Sequence, residues 1–118
     1  MIQVEILSPD ALKVTPPAKL SADDFVSITP QIDELIQQHG QIRLLVDATA
    51  LNGWENTEAL RKHILFVKNH QSKVKRIAVI VGHDWQDWLA AVVNIFVHPQ
   101  IKAFGTDQEA AARQWLME

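Results

Sequence analysis

The chain has 118 residues, 47% of them hydrophobic and 21% charged, with a formal net charge of -3 and no cysteine. That length and balance describe one globular domain with a single core, and they exclude a disordered or fibrous chain. Without cysteine there can be no disulfide, zinc–thiolate site or thiol chemistry, which fits a reducing compartment.

The start Met1-Ile-Gln-Val-Glu5 has neither a basic n-region nor an apolar h-region, so no signal peptide is expected. The longest apolar run, Trp88 to Val97, is interrupted by Asn94 and falls far short of the ~20 residues that a membrane span needs. A soluble cytoplasmic protein is the expectation. Charge is distributed unevenly: Arg61, Lys62, Lys68, Lys73, Lys75 and Arg76 all lie between Ala59 and His83, where there is no acidic residue. A basic helix face of this kind suits anionic lipid, a phosphate group or an acidic partner, and serves equally as a solvated face. Nucleic acid is not expected, because the chain is acidic overall and the basic segment is not interleaved with exposed aromatics.

Ile2, Val4 and Ile6 alternate with Gln3 and Glu5, the period of a half-buried strand. Ser8-Pro9-Asp10 reads as a turn, Ala11 to Thr15 as the second strand of a hairpin, and Pro16-Pro17 as its end. Ser21-Ala-Asp-Asp24 has the form of a capping box, followed by Phe25, Ile28, Ile32, Leu35 and Ile36 on one helical stripe. Pro30 predicts either a kink or a restart with Thr29 as cap, and Gly40 a C-terminal stop. Ile42 to Ala48 carries Leu44-Leu-Val46 without alternation, the pattern of a central parallel strand covered on both faces.

After Asp47 a polar loop leads to Asn56 or Thr57, either of which can cap a helix running to about Gln71. Its inward stripe is predicted as Leu60, His63 or Ile64, and Val67, with Phe66 beside it. Val74 to Gly82 is the next strand, beside the Leu44 strand. Asp84 caps an amphipathic helix with Trp85, Trp88, Leu89, Val92, Val93 and Phe96 on its stripe. Ile101 to Phe104 makes a last strand, and Thr106-Asp-Gln-Glu109 reads as a capping box opening a helix to Met117, with Ala110, Ala111, Trp115 and Leu116 available for burial. The expected fold is a single-domain α/β structure over residues 1–118. Its mixed sheet has about five strands, an N-terminal hairpin and then parallel strands, flanked by about four helices.

Candidate chemistry concentrates on the loop after the central strand. Asp47 ends that strand, where open sheets place their ligands, and can equally hold the following loop in shape by accepting its hydrogen bonds. Thr49, Asn56 and Thr57 stand near a helix start, which favours an anion or a covalent phosphate but also explains Asn56 and Thr57 as caps. His63 and His70 are two helical turns apart, too far for the i,i+4 chelation of helical metal sites, so neither metal nor another cofactor is expected. Trp54 in the loop and Trp85 at the next strand end are placed to line an apolar mouth or touch a membrane interface, or else to cap the core. Hydrolysis by Asp47 with a histidine such as His83 would need hydrogen-bond contact that nothing in the sequence supplies.

The ordered set Gln41-Ile-Arg-Leu-Leu-Val-Asp47, Gly53-Trp54, Arg76-Ile-Ala-Val-Ile-Val-Gly82, Trp85-Gln-Asp-Trp88, Ile101-Lys-Ala-Phe104 and Glu109-Ala-Ala-Ala-Arg-Gln-Trp115 resembles the SpoIIAA-like proteins, a bacterial branch of the STAS fold. The resemblance implies a mixed sheet flanked by helices, with relatives that antagonise anti-sigma factors or form transporter tails, and a likeness in shape to CRAL-TRIO lipid-binding domains. Such antagonists are phosphorylated on a serine in an Asp-Ser stretch at the start of the helix after the central strand. Here the region reads Leu51-Asn-Gly-Trp-Glu-Asn-Thr57, with no Asp-Ser pair, and Thr57 is the hydroxyl nearest the helix start.

The expected function is therefore a non-enzymatic binding or regulatory module. Its site is Asp47, Asn52, Gly53, Trp54, Thr57, Arg61, Lys62 and Trp85, holding a lipid-like or anionic small molecule or a protein partner. The alternative is a protein-interaction module switched by phosphate on Thr57. Peripheral membrane contact and a homodimer through the Trp88 to Val97 stretch are further expectations.

Overall fold

A computed structural model describes residues 1–82 and 100–118. In chain order it contains β1 (Gln3–Ser8), β2 (Ala11–Thr15), α1 (Ala22–His39), β3 (Ile42–Asp47), α2 (Thr57–His70), a 3-10 turn (Gln71–Lys73), β4 (Val74–Ile80), β5 (Gln100–Phe104) and α3 (Glu109–Met117). The strands form one sheet in the order β1-β2-β3-β4-β5. β1 and β2 are antiparallel, and every later pair is parallel. The α/β class, the hairpin and the five strands agree with the sequence reading. Three helices lie among the described residues, and the helix expected from Asp84 to Phe96 falls outside them.

The β2–α1–β3 and β3–α2–β4 units step across the sheet in the same direction, and right-handed crossovers then put both helices on one face. Strand alternation sends Leu12, Val14, Ile42, Leu44, Val79 and Val81 to that face, where they meet Ile28 and Ile32 of α1 and Phe66 of α2. The opposite face collects Ala11, Leu45, Ala78, Ile80 and Phe104 beneath Ala112 and Leu116 of α3. The central strands β3 and β4 are thus covered on both sides, which is why they read as continuous apolar runs.

Local signals account for the helix ends. The Ser21 hydroxyl accepts the Asp24 N–H at 3.2 Å, and the Ser21 N–H donates to Asp24 Oδ2 at 2.9 Å. Burial of Asp24 works to raise its pKa, but these bonds and the N-terminal amine outweigh it and hold the carboxyl below its usual value. Gly40, at φ +80°, closes α1 with its N–H on the Ile36 carbonyl at 2.7 Å. Pro30 neither restarts nor ends the helix: α1 continues through it. Its missing N–H frees the Val26 carbonyl on a side where Val26 and Pro30 are exposed, so water can take the bond, while the Thr29 hydroxyl donates to the Phe25 carbonyl at 2.6 Å.

Three expectations are corrected. Ile6 lies on the face of Ile2 and Val4, opposite Leu12, but is not buried with them: it is 68% exposed, on the outer strand of the sheet. Thr106 does not cap the last helix. The Gln108 side chain instead accepts the Gly105 N–H at 2.8 Å, forming a turn that delays α3 to Glu109. That changes the buried stripe to Ala112 and Leu116, leaving Ala110 and Ala111 exposed.

Candidate binding site

The loop after β3 is held by its own backbone. Asp47 Oδ1 accepts both the N–H of Thr49, at 3.2 Å, and its hydroxyl, so the carboxylate shapes the turn. Beyond it the chain pairs with the segment before α1: the Asn52 N–H donates to the Ala18 carbonyl at 2.6 Å, the Leu20 N–H to Gly53 at 3.0 Å and the Glu55 N–H to Leu20 at 2.7 Å. Gly53 has φ +122°, a conformation that residues with a Cβ rarely adopt. Asn52, Gly53 and Trp54 thus lie against the segment before α1, in a stretch whose backbone is committed to the fold, while Asp47 shapes the turn ahead of them.

Thr57, Arg61 and Lys62 run along the start of α2. Asn56 is the cap, its Oδ1 accepting the Ala59 N–H at 2.9 Å, and Thr57 is the exposed first residue. Arg61 pairs with Glu58 at 3.0 Å, and that hydrogen bond holds the Glu58 carboxyl below its usual range. Trp85 lies outside the described residues, so its approach to Trp54 is not defined.

Beneath this loop, between the sheet and helices α1 and α2, is a cavity of about 140 Å³. Leu44, Val46 and Val79 form its floor, Phe25 and Ile28 one wall, and His63, Phe66 and Val67 the other, with Leu20 and Leu51 from the paired loops. His63 and Gln71 are the polar side chains of the lining, which has no Lys, Arg, Asp or Glu among the described residues. A ring or a chain of roughly six carbons fills such a volume.

His63 determines the character of the wall. Its ring stacks on Phe25 at 4.9 Å, and its Nδ1 accepts the indole N–H of Trp54 at 3.1 Å. Burial pushes its pKa down to about 4, so the ring is neutral near pH 7 and the remaining proton sits on Nε2. His70, two turns on, stacks on Phe66 at 4.2 Å and places its ring nitrogens 2.7 Å from the Phe66 carbonyl and 2.7 Å from Asp33 Oδ1. It ties α2 to α1 along the rim. The sequence pattern put either His63 or Ile64 on the inward stripe; the structure turns His63 inward and leaves Ile64 39% exposed.

Away from the cavity, Arg76 is engaged by α3: its guanidinium donates to the Trp115 carbonyl at 2.6 Å and lies 4.9 Å from the Trp115 ring centroid. Among the described residues, no cluster of three or more His, Asp or Glu could hold a metal ion, and no helix is long and apolar enough to cross a membrane.

Comparison with known proteins follows this geometry. A family model described as SpoIIAA-like matches residues 11–117. No curated protein matches the chain. Among solved structures, an uncharacterized protein with a SpoIIAA-like fold from Shewanella loihica PV-4 superposes with a TM-score of 0.79 at 26% identity, covering 98% of this chain and 92% of that one. A match over nearly the whole length, on a sheet and helices of the same arrangement, places the chain in the SpoIIAA-like family.

Proposed function

We propose that the protein is a non-enzymatic binding module that holds a small apolar molecule, or the apolar end of a larger one, in the cavity between the sheet and helices α1 and α2. The observation that carries this reading is the cavity itself: about 140 Å³ with an almost wholly apolar lining. Ligand sites are concave and mostly apolar, with a few polar groups that orient the guest. This one is smaller than a typical drug-sized pocket, which favours a ring or short chain over a whole lipid. An anionic headgroup does not belong inside, since an unpaired carboxylate in an apolar site costs several kcal/mol. Arg61 and Lys62 lie on the outer part of α2, where they would meet an anionic group outside the cavity.

The test is a methyl NMR titration with n-hexane. Saturable shifts at Ile28, Leu44 and Val79, abolished in a Val79→Phe variant that fills the space, are the expected result; shifts that never saturate would sink the reading. The phosphate-switched interaction module remains a second reading, favoured by the exposure of Thr57 at the first turn of α2, where a phosphate would meet free backbone N–H groups. It predicts a phosphorylated Thr57 in cells and a partner lost on Thr57→Glu.

A further inference from the structure

Resting on the reading of the cavity as a small-molecule site, we propose that His63 is its polar anchor, selecting ligands that carry one neutral hydrogen-bond acceptor, such as a ketone, ester or ether oxygen, beside an apolar body. The argument begins with Trp54. Because the indole N–H can only donate, His63 Nδ1 must accept, and the neutral imidazole then carries its proton on Nε2. The two ring nitrogens point in widely different directions, so an imidazole held by Trp54 at one directs the other away from the loop. His63 is part of the cavity wall, and no protein acceptor for Nε2 is found among the described residues. The ring cannot turn freely to find one, since Phe25 is stacked on its face at 4.9 Å. A fixed N–H beside an apolar space is the arrangement that orients a guest by a single acceptor.

The same groups decide which acceptor. No cation is present in the described lining, and burial keeps His63 uncharged near neutral pH, so a carboxylate or phosphate inside would lack a countercharge. A carbonyl or ether oxygen needs only the N–H. Trp54 is therefore a positioning residue: it acts on the ligand through the tautomer and orientation of His63.

The experiment uses three probes of equal size, n-hexane, 2-pentanone and butanoate, with wild-type protein and His63→Phe. The quantity read is the ketone-to-hexane affinity ratio in each protein, which cancels the different cost of leaving water. That ratio should fall about tenfold in His63→Phe, because the ketone oxygen is then buried without a donor. The ¹⁵N signal of His63 Nε2 in the wild type should shift with 2-pentanone and not with n-hexane, a readout that does not require the variant to fold. An unchanged ratio, an indifferent Nε2 signal or tighter binding of butanoate than of 2-pentanone overturns the anchor while leaving the cavity reading standing. If n-hexane and 2-pentanone both fail to saturate, both readings fall together.

Discussion

The two faces of the sheet solve the same burial problem differently. Under α3 the contacts are made by small or fully buried side chains: Ala11, Leu45, Ala78, Ala112 and Leu116 are all at 0% exposure. Two arginines paired across β3 and β4, Arg43 and Arg76, donate to the Leu116 and Trp115 carbonyls at 2.8 and 2.6 Å, where cations complement the helix C-terminus. Lys13 and Arg113 bond Glu109 at 3.1 and 2.8 Å, and their hydrogen bonds hold its carboxyl below the usual range. The face under α1 and α2 has bulkier walls, Phe25, His63 and Phe66, that meet around a void instead of closing it. One face closes around its contacts, and the other leaves a space between its walls.

Core truncation on the closed face should have the largest effect. Leu116→Ala removes a fully buried side chain among neighbours with little room to collapse, and should cost about 3–5 kcal/mol in chemical denaturation. Next comes acid sensitivity on the open face. His63 has a folded pKa of about 4 against about 6.5 unfolded, so its contribution is fully present above pH 6.5 and is lost as the unfolded state protonates between 6.5 and 4. The loss, on the order of 3 kcal/mol at most, should disappear from the pH–stability curve of His63→Phe.

Added volume separates the faces most sharply. Ala78→Leu, against α3, should lose about 1–3 kcal/mol through overpacking, whereas Val46→Leu, beside the cavity, should stay within about 0.5 kcal/mol of wild type in the same assay. Equal losses would mean that the open face has no usable space. The smallest expected loss belongs to the cap of α2: Asn56→Ala should cost about 1 kcal/mol, seen as a thermal midpoint lower by a few degrees.

What could be read from sequence follows the range of each interaction. The Ser21 capping box, the Gly40 stop and the apolar runs of β3 and β4 are local patterns, and each corresponds to an element in the structure. Trp54 was legible as a loop residue of interest, but its bond to His63 depends on how the loop pairs with Ala18 and Leu20, which no spacing reports. The α3 phase was misread because two local signals compete at residues 105–108, and the Gln108 side chain bonds Gly105 in place of the Thr106 cap. The cavity was least visible of all. Phe25, Ile28, His63 and Phe66 have the spacing of ordinary core stripes, and only their three-dimensional meeting leaves room between them.

The most direct test of the account is a crystal of the protein pressurised with xenon, which enters dry apolar cavities and is visible by its electron density. The account predicts a xenon atom bounded by Phe25, Leu44 and Val79. Xenon found only elsewhere, or not bound at all, would contradict it.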